Sequence, residues 1–82
     1  MNSQIIADDV GVIPPDEMNR LASGVQRRAN GRVREFRLLV FSNGLILQGL
    51  TSTYYAKQLA QHAIMEATQV PILANDIEVR PI

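Results

Sequence analysis

Apolar residues change their spacing several times along the chain, and each change predicts an element. Met18, Leu21, Ala22, Val25 and Ala29 recur at helical intervals, which predicts an amphipathic helix. Pro14-Pro15-Asp16-Glu17 marks its start, because proline is tolerated in a first turn and acids favour the positive end of the helix dipole. Asn30-Gly31 supplies its stop, both residues accepting the left-handed backbone that ends many helices. From Val33 to Phe41 the chain is rich in Val, Phe and Leu and reads as a strand. Asn43-Gly44 is the strongest local turn signal, since both residues tolerate positive φ, and Leu45 to Leu50 then reads as a returning strand. Ser52 or Thr53 caps a second helix, whose apolar face is Ala56, Leu59, Ala60, Ala63, Ile64 and Ala67. That helix must end before Pro71. Ile77 and Val79 alternate with Asp76, Glu78 and Arg80, the period of a half-buried strand.

The expected order is therefore αββαβ, an α+β domain with two helices on one face of a three-stranded mixed sheet. The third strand is expected parallel beside the second, through a right-handed crossover. The alternative is antiparallel pairing beside the first strand. Residues 1–13 are weakly patterned, with Asp8-Asp9 and Gly11 between short apolar runs, and read as an arm, either an edge strand or disordered. Residues 14–82 form the single domain.

A two-residue turn at Asn43-Gly44 would pair Phe41 with Ile46, Val40 with Leu47, Leu39 with Gln48 and Leu38 with Gly49. Alternate pairs share a face. One face then carries Phe36, Leu38, Val40, Leu47 and Gly49, and is expected to be the core face, with Gly49 leaving room for a helix. The other carries Leu39, Phe41, Ile46 and Leu50, with Arg37 and Gln48. Two short helices cover one side of such a sheet, so the second apolar face needs a partner. The arm in cis and a second copy in trans are the candidates, with self-association ahead.

Composition narrows the chemistry. The chain has 82 residues, 46% hydrophobic and 20% charged, which is a globular profile for one small domain. It has no cysteine, so a disulfide framework, a thiolate zinc site and a cysteine nucleophile are all excluded. The single histidine, His62, lacks a second imidazole or a thiol to share a metal with, and falls at the edge of a helix face. No phosphate-binding glycine loop occurs. The expectation is a protein without catalytic, metal or cofactor residues. Tyr54 and Tyr55 open the second helix, as ordinary packing residues or as an interfacial anchor. No basic leader or long apolar run is present, so the expected compartment is the cytoplasm, with peripheral membrane attachment as a variant.

Net charge is zero, but the charges are segregated. Residues 1–17 hold Asp8, Asp9, Asp16 and Glu17 without a cation, while residues 18–37 hold six arginines against Glu35. Arg27, Arg28, Arg32, Arg34 and Arg37 are thus candidate contacts for an anion or lipid head group.

The stretch from Val33 to Val79 resembles the BON family, bacterial modules named for osmotic shock and nodulation. Asn43-Gly44, Leu47-Gln48-Gly49, the alanine-rich helix from Ala56 to Ala67, and Val70, Leu73, Asn75, Ile77 and Val79 fall in the order and spacing of that family. The sequence departs from the family pattern in having one residue fewer between Gly44 and Leu47, Gln69 in place of a glycine, and Pro71. The resemblance implies a non-catalytic module that attaches to phospholipid surfaces or other proteins. It also marks Asn43, Gly44, Gly49 and Asn75 as turn and packing positions. Three functions follow in order of preference: an interaction module forming homo-oligomers, a dimer foremost, through Leu39, Phe41, Ile46 and Leu50; binding to anionic phospholipid through the arginines; and RNA binding. RNA is the least favoured partner, because a KH-like fold needs a Gly-x-x-Gly loop that this chain lacks.

Overall fold

The computed structural model describes residues 13–81. The element order is α1 (Pro15–Arg28), β1 (Arg34–Phe41), β2 (Gly44–Thr51), α2 (Tyr54–Ala67) and β3 (Ile72–Val79). This is the expected α+β order. The arm over residues 1–12 lies outside the described residues, and Ile13 packs against the core.

Both helices end where their sequence says they should. Pro15 opens α1 with Asp16 and Glu17 in its first turn, and Arg27 and Arg28 close it. Asn30 (φ 55°) and Gly31 (φ 70°) take the left-handed conformation, and the Gly31 amide donates to the Gln26 carbonyl at 2.9 Å. That bond satisfies a carbonyl the helix leaves open. In α2 the cap is Thr53, whose Oγ1 accepts from the Ala56 amide at 3.1 Å.

The sheet order is β1-β2-β3, with β1 antiparallel and β3 parallel to β2. The first of the two expected positions for the last strand is thus the observed one. Leu21, Val25, Ala29 and Val33 meet Ala56, Ala60, Ala63 and Ile64 above Leu45, Leu47 and Ile77, all buried. Alanines on α2 let that helix sit close to the sheet, so little side-chain volume separates the layers. Ala67, expected on this buried face, is the last helical residue and is exposed.

The hairpin register differs from expectation. Phe41 pairs with Gly44, Leu39 with Ile46 and Leu38 with Leu47. The turn residues are therefore Ser42 and Asn43, one position earlier than the Asn-Gly signal implied. Neither Asn43 nor Gly44 has positive φ. Moving a two-residue turn by one position slides the pairing by two, which preserves the alternation. Leu38, Val40 and Leu47 consequently remain on the inner face, and Leu45 joins them fully buried.

Gly49 also has a different reason from the expected one. A Cβ there would lie 3.0 Å from Val33 Cγ1 and 3.1 Å from the Arg34 carbonyl oxygen. What approaches Gly49 is the irregular start of β1, not a helix. The register slips between Arg34 and Arg37, and Glu35 adopts φ 56°, so β1 carries one extra residue and bends over Gly49.

Asn75 ties β3 to α2. Its Nδ2 donates to the Lys57 carbonyl at 3.1 Å and to Gln61 Oε1 at 3.2 Å, and its Oδ1 accepts from the Ile77 amide at 3.2 Å. Asn75→Ala is expected to cost about 1–3 kcal/mol, the range for stranding part-buried polar partners, with urea denaturation as the measurement. An unchanged midpoint would mean these three bonds are replaced by water without loss.

Candidate functional site: the open face of the sheet

With the helices over one face, the other face of the sheet is organised in rows. Leu39, Ile46 and Ala74 form one row across the three strands. Phe41 and Gly44 form the next toward the turn, with Leu73 lying over Gly44. In the other direction come Arg37, Gln48 and Asp76, and then Arg34, Leu50 and Glu78. The face is therefore apolar at its turn end and charged at its far end.

Among the described residues nothing covers the apolar end. Phe41 is 46% and Leu73 43% exposed, and Leu39, Ile46 and Ala74 are half-buried. All four residues expected to form an interface, Leu39, Phe41, Ile46 and Leu50, share this face. Leu73 and Ala74 were not anticipated there. Leu73 is the extra residue where the β2–β3 register slips between Leu45 and Ile46, and such a slip has no marker in the sequence.

The charged end is a shallow concavity of about 450 Å³ lined by Glu35, Arg37, Gln48, Asp76, Glu78 and Arg80, among others. Its charges are mixed, with Glu35 on β1 and Arg80 just after β3. On the outward-facing rows, β1 contributes Arg34 and Arg37 and β3 contributes Asp76 and Glu78. Arg80 folds back on Glu78, its Nε donating to Oε2 at 2.9 Å. Arg37 and Asp76 have no ion-pair partner among the described residues.

The five arginines do not make one patch. Arg27 and Arg28 lie at the end of α1, Arg32 in the following turn, and Arg34 and Arg37 on the outer sheet face. Arg28 reaches across to α2, its Nη2 donating to Glu66 Oε2 at 3.2 Å, with a second, shorter bond from Nη1 to Oε1. These bonds and the guanidinium charge hold the Glu66 carboxyl below the usual glutamate value. The pair therefore contributes its stability in full above Glu66's ordinary value of 4.5, and loses it as pH falls through the lowered folded value. A carboxyl-detected NMR titration is expected to place the Glu66 transition below 4.5. Arg28→Gln should return it to the ordinary range.

His62 is exposed on α2. Tyr54 and Tyr55 are exposed at the start of the same helix and so do not serve as core packing. Among the described residues no cluster of His, Asp and Glu is arranged to hold a metal ion. Nor is any helix among them long and apolar enough to cross a membrane. Comparison with protein-family models, with curated proteins and with solved structures finds no match for this chain.

Proposed function

We propose that the domain is a non-catalytic, BON-like interaction module that associates with a second copy of itself through the open face of its sheet. The observation that carries this reading is the uneven treatment of the two faces. One is sealed by two helices, while the other presents Leu39, Phe41, Ile46 and Leu73 as a contiguous apolar area beside fixed charges. Apolar patches of this kind on small domains mark contact sites. A small core without disulfides also gains stability by burying surface between copies. Apolar side chains and fixed charges on a rigid sheet suit binding.

Sedimentation equilibrium at tens of micromolar is the direct test, and a dimer is the expected result. Ile46→Lys, in the middle of the apolar row, is expected to give a folded monomer, because an unpaired ammonium would have to be desolvated to form the interface. Circular dichroism checks that the fold survives. A wild-type chain that stays monomeric throughout, or one that binds anionic vesicles as a monomer through its arginines, would overturn the reading.

A further inference from the structure

We propose that the two copies stack sheet on sheet about a twofold axis running parallel to β2, so that Arg37 of each copy faces Asp76 of the other. This rests on the self-association reading and specifies its geometry. Two in-plane twofold axes bring the open faces together, and they differ in what they place in contact. An axis along the strands exchanges the left and right edges and keeps the rows. β1 then lies over the other copy's β3, and the row positions of Arg34 and Arg37 meet those of Glu78 and Asp76, with Asp76 free of any ion pair among the described residues. The row of Leu39, Ile46 and Ala74 falls on its own copy, with Ile46 at the axis. An axis across the strands does the reverse. It lays β1 on β1 and turns the apolar end of one copy onto the charged end of the other, which leaves Arg34 and Arg37 against apolar side chains. Both the charge pattern and the apolar pattern therefore select the axis along the strands.

Distances agree with this choice. Packed sheets stand about 10 Å apart, a gap that a long arginine and a short aspartate bridge together and that two arginines cannot share. Arg37 and Asp76 are both exposed and lie at the two ends of one row, with Gln48 between them. Three eight-residue strands, at about 4.8 Å spacing and about 3.3 Å rise, offer on the order of 400 Å² in projection. Counted on both copies this is about 800 Å², below the roughly 1,200 Å² of standard specific interfaces, so the dimer is expected to be weak and its strength to depend on ionic strength.

Charge reversal on the full chain tests the arrangement. Arg37→Asp puts two carboxylates opposite each other at both symmetry-related sites, and Asp76→Arg does the same with two guanidinium groups. Each is expected to raise the dimer dissociation constant about tenfold or more at low salt. The double variant restores complementary pairs and is expected to return close to wild type. An equimolar mixture of the two single variants is expected to form a heterodimer, since one copy then carries acids at both positions and the other arginines. Thermal melts of the monomers verify that each variant folds. If the wild type dimerises but neither single change weakens it, the proposed axis is wrong while the self-association reading stands. If the wild type is a monomer, its open face covered by residues 1–12 or by another molecule, both fall together.

Discussion

Gly44→Val is expected to destabilise the fold by about 3 kcal/mol or more, the upper range for forcing atoms into filled space. Gly44 is buried at the start of β2. A Cβ there would stand 2.6 Å from Leu73 Cγ and 2.7 Å from the Pro71 carbonyl oxygen. Leu73 could swing away, but Pro71 is backbone, and its carbonyl accepts the Leu45 amide at 2.9 Å. Relief therefore requires the first residues of β3 to move off β2, breaking the bond that begins their pairing. Gly44→Ala carries the same clash with less bulk and is expected to cost about 1–3 kcal/mol. Asn43→Ala, at the exposed turn without positive φ, is expected to change stability by less than about 1 kcal/mol. Urea denaturation of the three variants gives the comparison. Equal losses at Asn43 and Gly44 would show that turn conformation, and not the approach of β3, explains the glycine.

Leu47→Ala is the second large effect, at about 2–5 kcal/mol. Leu47 is fully buried in the central strand, between Leu38 on β1 and Asn75 on β3, under the helix layer. Truncation removes its transfer free energy and leaves a cavity whose walls are held by three strands and by the Asn75 bonds to α2, so the site collapses poorly. A domain of this size has total stability of roughly 4–12 kcal/mol, so much of it would go. The expected signature is a lower urea midpoint with an unchanged slope. Leu39→Ala is the internal control. Leu39 neighbours Leu38 in the chain but points to the open face, so it should affect dimerisation more than the monomer's stability. Comparable losses in the monomer from both would mean the two faces are not distinguished as the structure has them.

The hairpin shows what local patterning can and cannot convey. Alternation in β1 and β2 assigned Leu38, Val40 and Leu47 to one face and Leu39, Phe41, Ile46 and Leu50 to the other, and that assignment survives a register error of two. It survives because side-chain direction repeats every second residue, so an even slip leaves every side chain where it was. The turn position was misplaced because Asn-Gly is a statistical signal for positive φ, whereas Gly44 is required by the passage of Pro71 and Leu73. Gly49 was misread in the same way. A glycine in a strand announces a close approach without naming what approaches, and here it is the bulge at Glu35.

The same division holds for the whole molecule. The amino-acid sequence by itself determined the five elements, their caps and stops, the apolar faces of both helices and the two-sided hairpin, because each depends on residues within one or two turns or strands of each other. The tertiary structure decided between the two places expected for β3, in favour of the one beside β2, and it alone slipped the register to bring Leu73 to the open face and separated the arginines into a helix-end group and a sheet-edge group. It also set Asp76 and Glu78 on the edge opposite Arg34 and Arg37. These depend on pairings between residues some 25 to 45 positions apart, for which local propensity carries no signal and packing of the shared core makes the choice.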